Sequence, residues 1–158
     1  MATTFRQLLY ILTVVLLSAA ATGCTPENDI EGIFVGRTWK LSYFCTVDGD
    51  DWKHDVKPLM TQEEMKSVNT AGKYQITFHD GTFSGIAYDT TFSGRWEAEG
   101  DSYDFKLTIT ESSGQEQDET GRKFLDCLKK ARYYLGDYNS VKIFYDEKKN
   151  FLLFRPLD

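Results

Sequence analysis

KYQITFHDGTFSGIAYDTTFSGRW, residues 73–96, is the stretch whose reading decides the fold. Tyr74, Ile76 and Phe78 alternate with polar residues, the period of two that marks a half-buried strand. His79-Asp80-Gly81 follows as a turn, with Gly81 free to take positive φ because it has no Cβ. Phe83, Gly85 and Ala87 mark one face of a second strand, and Phe92, Gly94 and Trp96 one face of a third. Strands following one another across short connections make an antiparallel meander.

Working outward, the same period recurs. Within Gly36–Cys45, the residues Trp39, Leu41, Tyr43 and Cys45 alternate and predict a strand with all four on one face. Thr46 to Pro58 is polar and holds Asp48, Gly49, Asp50 and Asp51. It is not a calcium loop of the EF-hand kind. Trp52 and Lys53 occupy the places of an oxygen ligand and a glycine, and Leu59 stands where the bidentate Glu belongs. Thr61-x-x-Glu64 has the form of a capping box opening a short helix or turn with Met60, Met65 and Val68. Downstream, Tyr103, Phe105, Leu107 and Ile109 alternate as a further strand. A helix is expected to start between Asp118 and Arg122, because Phe124, Leu128, Ala131 and Leu135 form one apolar stripe and Gly136 can stop it. Strands at Val141–Tyr145 and Phe151–Arg155 close the chain. The expected fold is mainly β (α+β): an antiparallel meander curled into a partly closed, barrel-like sheet, with one covering helix near the C-terminus.

The front of the chain reads differently. Leu8 to Ala21 is an apolar run behind Arg6, too short to span a bilayer comfortably and suited to the core of a secretory signal peptide. Ala21-Thr22-Gly23-Cys24 resembles a lipobox, the motif after which bacterial lipoproteins are cleaved and their cysteine acylated. The expected organisation is a signal peptide over residues 1–23, a tether over 24–35 with Cys24 lipidated, and one domain over 36–158. Thr25 is not the Asp that retains many lipoproteins in the inner membrane, so the expected location is the Gram-negative envelope at the outer membrane. Without its first 23 residues the chain keeps 17 basic and 24 acidic residues, net −7. That balance argues against nucleic acid, whose binding depends on neutralising phosphates.

With Cys24 assigned to the anchor, Cys45 and Cys127 remain. In an exported chain they are either a disulfide or two buried thiols acting as small hydrophobes. Both alternatives stand at this point.

Gly85, Phe92, Gly94 and Trp96 also carry a resemblance, together with the Gly36-Arg37-Thr38-Trp39 opening and the ending with Phe124, Leu128, Tyr134 and Gly136-Asp137. The chain resembles the META domain of the HslJ-like lipoproteins and heat-shock proteins. Tyr88-Asp89-Thr90 replaces that family's usual Gly-Cys-Asn, so roles resting on its cysteines do not carry over. The resemblance implies an antiparallel barrel-like sheet with one covering helix, an envelope role and no catalytic site. A lipocalin-like barrel, whose first strand likewise carries a glycine shortly before a tryptophan, is the second resemblance.

Chemistry-bearing residues are sparse. His54 and His79 have no metal-ligand spacing around them, Ser84 and Ser93 lie in strands, and no nucleophile-elbow motif occurs. No enzyme activity, metal or cofactor is expected. The expected function is that of a non-catalytic structural or protein-interaction module of the envelope, with the membrane as partner through the N-terminal lipid. The alternatives are a small-molecule or lipid binder with a hollow interior, and a glycan-binding module using Tyr43, Phe44 and Trp52. Bulky residues on every strand favour a filled interior, with Gly85 and Gly94 present for close strand approach.

Overall fold

Alternating residues pair into one mainly antiparallel sheet in the computed structural model, which describes residues 28–157. The expected signal segment and Cys24 lie outside the described residues. In chain order the elements are α1 (Ile30–Phe34), β1 (Thr38–Thr46), β2 (Lys57–Pro58), α2 (Gln62–Val68), β3 (Gln75–Phe78) and β4 (Thr82–Ile86). Then come β5 (Thr91–Ala98), β6 (Phe105–Ser112), α3 (Glu119–Lys129), β7 (Tyr133–Gly136), β8 (Val141–Asp146) and β9 (Asn150–Pro156). The strand order is β6-β5-β4-β3-β1-β9-β8-β7, with β2 added to β1. The two end strands meet at one bridge, Asp104–Tyr133. There the Phe105 amide donates to Arg132 O at 2.8 Å and the Tyr134 amide to Tyr103 O at 2.9 Å.

A bulge in β1 overturns the expected face of that strand. Its register against β9 shifts between Leu41 and Tyr43. Trp39, Leu41 and Phe44 enter the large core cluster, while Cys45 joins Leu135, Phe144, Phe151 and Leu153 in a small one. Direct cross-strand partners share a face, and Cys45, Phe151 and Phe144 are such partners. Phe44, Leu152 and Ile143 make the adjoining row on the opposite face. One extra residue thus turns Tyr43 and Cys45 outward and brings Phe44 inward. Tyr43 is 38% exposed.

Residues 30–35 are not tether. Asp29 caps α1 by accepting from the Gly32 amide at 3.0 Å, and the helix buries Ile33 and Phe34 completely. The Phe34 ring lies 5.0–5.4 Å, centroid to centroid, from Phe78, Trp96, Phe105 and Tyr134. The apolar stripe of α3 also ends earlier than expected. Lys130 is its C-cap, and Gly136 does not stop the helix but pairs with Val141 in β7. Leu135 packs against the small cluster instead of the helix stripe. Tyr133 and Tyr134 are aromatic β formers, and pairing with β8 outweighs any continued helix.

Phe92, Trp96, Phe124 and Phe154 join the same large cluster, so aromatic rings fill the space between the sheet and α3. Two glycines allow the strands to come this close. A Cβ on Gly85 would stand 2.6 Å from the Phe92 ring and 2.7 Å from Gln75 O, and one on Gly94 would run into Thr108 O. Replacing Gly94 with Ala should therefore lower stability by about 1–3 kcal/mol through overpacking. Replacing Trp96 with Ala should cost about 3–5 kcal/mol through the cavity it leaves. Chemical denaturation of both variants checks the two values.

Candidate interaction site

Polar geometry singles out three places: a buried carboxylate, a clamped lysine and a groove along the end strand. The Glu116 side chain is buried, 4% exposed. Its carboxylate accepts from the amides of Tyr88 (3.2 Å), Asp89 (3.0 Å), Thr90 (3.0 Å) and Asp118 (3.1 Å). Three successive amides aimed at one carboxylate form a nest. Burial works to raise its pKa, but the four amides outweigh burial and hold it below the ordinary 4.5. The clamp ties the Tyr88-Asp89-Thr90 turn to the start of α3. Beside it Asp118 caps α3 through the Gly121 amide at 2.7 Å and accepts from the Tyr74 hydroxyl at 2.9 Å. Lys40 is clamped in the opposite sense. Its ammonium donates to the carbonyls of Val68 and Lys73, both at 2.6 Å, and burial lowers its pKa to about 8.

The groove runs beside β6. One section, about 1050 Å³, is an open cleft between the start of β6, the end of α3 and the β8–β9 turn. Leu107 and Ala131 supply apolar surface, and Lys106, Lys129, Lys130 and Arg132 stand around it. None of these four cations forms an ion pair with a described residue. Acids gather at its turn end, with Glu97, Glu99 and Asp104 on one side and Asp146 and Glu147 on the other. The cleft continues into a second section of about 510 Å³ lined by every residue from Lys106 to Ser112 together with Lys129.

The residues singled out from sequence are scattered. His54 sits at 2.6 Å from Asp51 in the exposed first loop, while exposed His79 offers its carbonyl to the Trp96 indole at 2.8 Å. Ser84 is exposed on β4, and Ser93 lies at 3.5 Å from Glu111. Among the described residues, no group of three or more His, Cys, Asp or Glu side chains could hold a metal ion. Tyr43, Phe44 and Trp52 do not form a shared aromatic face. Phe44 is in the large cluster and Tyr43 is turned outward. Trp52 packs edge-on against Phe144 and Tyr103, under the Lys148 ammonium at 4.5 Å.

Cys45 and Cys127 are free and buried. The bulge explains why a bridge between them does not form. It sends Cys45 to the small cluster on one face, whereas Cys127 on α3 belongs to the large cluster on the other. Burial pushes both thiols up to about 11, against a weak pull from Lys142 on Cys45 and from the Tyr145 hydroxyl on Cys127. Neither is a thiolate nucleophile near neutrality.

A family model described as "Domain of unknown function (DUF4847)" matches residues 26–156. The chain belongs to the DUF4847 family. A crystal structure of a DUF4847 family protein from Bacteroides vulgatus ATCC 8482 is 23% identical to it, with a TM-score of 0.64. That likeness covers 80% of this chain and 96% of the other, and at such identity it is a likeness of fold. No curated protein matches this DUF4847 chain.

Sequence reasoning missed Glu116 and Lys40, because neither sits in a motif. A faint signal for Glu116 was available: a carboxylate two residues ahead of a helix N-cap. Its depressed pKa stabilises the fold above the ordinary value, and that stability is lost as pH falls through the folded value. Replacing Glu116 with Gln should flatten the acid limb of the stability–pH curve, and replacing it with Ala should cost about 1–3 kcal/mol at neutral pH. Urea titrations from pH 7 to pH 3 check both. Alkylation should label neither thiol in the native protein and both after unfolding, with no mass change on adding reductant. Mass spectrometry reads that directly.

Proposed function

We propose that this chain is a non-catalytic lipoprotein of the Gram-negative envelope, anchored by a lipid on Cys24 at the outer membrane. In this reading it serves as a protein-interaction module of the META-like type. The sheet is barrel-like and partly closed, with α3 as its covering helix. One observation carries the reading: aromatic side chains crowd the large cluster while unpaired charges collect along an open groove. A filled interior leaves recognition to the surface.

Two further features support it. The first described residue, Asn28, lies against Gly100 in the β5–β6 turn, where a Cβ on Gly100 would stand 3.2 Å from Asn28 O. Cys24 is four residues earlier, so a lipid there would hold this end of the domain within about 14 Å of a bilayer, since an extended residue spans at most ~3.6 Å. No helix among the described residues is long and apolar enough to cross a membrane, and acylation is the anchoring chemistry that the cysteine at position 24 offers.

Replacing Cys24 with Ser should move the protein from the membrane fraction to the soluble fraction or leave it as an uncleaved precursor. Labelling with a palmitate analogue should mark the wild type and not the variant. A wild-type protein that is soluble and unlabelled would overturn the anchoring.

A further inference from the structure

We infer that the free edge of β6 accepts an extended acidic segment of a partner protein as an added strand, its carboxylates set against Lys106 and Lys129. This deepens the reading of the domain as an interaction module and rests on it.

The backbone comes first. Among the described residues β6 pairs with β5 on one side and, apart from the Asp104–Tyr133 bridge, with no strand on the other. Asp104 O accepts from the Glu99 amide at 3.0 Å, so Asp104 turns its polar groups toward β5. Successive residues of a strand turn their amides to opposite sides. Phe105 obeys this, donating away from β5 to Arg132 O. Leu107 and Ile109 follow with the same sense, and among the described residues no backbone group outside the β5 pairing meets them. A row of such groups is a template for another strand.

The cleft has the shape this requires. All seven residues from Lys106 to Ser112 line its second section. Side chains alternate between faces over Lys106–Ile109, so a cavity touched by each of these four residues follows the edge rather than either face, and past Ile109 the extra residue Thr110 shifts the register against β5. The cleft reaches past Ile109 to Leu125 of α3, giving the incoming strand apolar surface to cover.

Charge selects the occupant. Lys106 on the strand, whose cross-strand neighbour on β5 is Glu97, and Lys129 and Lys130 at the end of α3 border the groove without an ion pair among the described residues. Acidic residues on the added strand would meet them. Glu99 and Asp104 at the turn end and Glu111 toward the other end would repel such residues, which confines the carboxylates of the segment to the stretch beside Lys106 and Lys129. The competing account is that Lys106 merely guards an exposed edge, as edge lysines commonly do.

The test uses the full chain in mild detergent and a short fluorescent peptide that alternates valine with glutamate. Binding should slow hydrogen exchange of the Leu107 and Ile109 amides by at least tenfold. N-methylation of alternate peptide residues, which removes edge hydrogen bonds and keeps the charge, should weaken binding at least tenfold. The Lys106→Glu/Lys129→Glu variant, checked for native circular dichroism, should do the same. No binding would assign Lys106 to edge protection and overturn the proposal. So would equal binding of the N-methylated peptide, or equal competition by inorganic tripolyphosphate, either of which would mean a simple anion site. The assay is independent of acylation, so a failed anchor and a failed groove give different results.

Discussion

The packing of Phe34 is the contact on which the rest of the structure depends. Its ring touches Phe78 of β3, Trp96 of β5, Phe105 of β6 and Tyr134 of β7. Those strands include both ends of the sheet, whose backbones, among the described residues, pair only at the Asp104–Tyr133 bridge. A single bridge is a weak join, since it brings two backbone hydrogen bonds at about 1 kcal/mol each. A buried ring shared by both ends holds them together far better, because aromatic burial adds to contacts that are edge-on with Phe78 and Tyr134, stacked with Phe105 and tilted with Trp96. The Trp39 indole, donating to Ile33 O at 3.2 Å, fixes the segment that delivers this ring.

Filling the interior in this way moves recognition to the outside. Where strands must approach over such large rings, Gly85 and Gly94 remove the Cβ atoms that would collide. The space gained goes to Phe92 and to neighbouring backbone, not to a ligand. What stays open among the described residues is the margin where β6 has no neighbouring strand and α3 lies alongside. The Glu116 clamp holds the start of that helix, and through it one wall of the groove.

The sheet was legible because period-two alternation is local: Phe83, Phe92, Trp96, Phe105 and Leu107 can each be assigned to a buried face from neighbours two residues away. The bulge at Leu41/Tyr43 was not. An extra residue in a strand shows itself only against the partner strand, here β9, which lies more than a hundred residues later. The misplaced faces of Tyr43 and Cys45, and the disulfide left open between Cys45 and Cys127, follow from that one residue. Leu135 continued a helical spacing by coincidence and was taken by β7. Residues 30–35 show no helical signal in the sequence, because a five-residue helix has too few turns to display periodicity. Glu116 was invisible for a different reason, as its amide partners stand 26 to 28 residues away except for Asp118. The groove itself is a property of strand order, which alternation alone does not specify.

Equilibrium unfolding of the Phe34→Ala variant, read together with hydrogen exchange at Phe105 and Tyr134, tests the central claim most directly. The account predicts a loss of about 3–5 kcal/mol, the range for truncating a buried aromatic, and faster exchange of those two amides as the ends of the sheet part. A variant as stable as wild type, with both amides still protected, would contradict it.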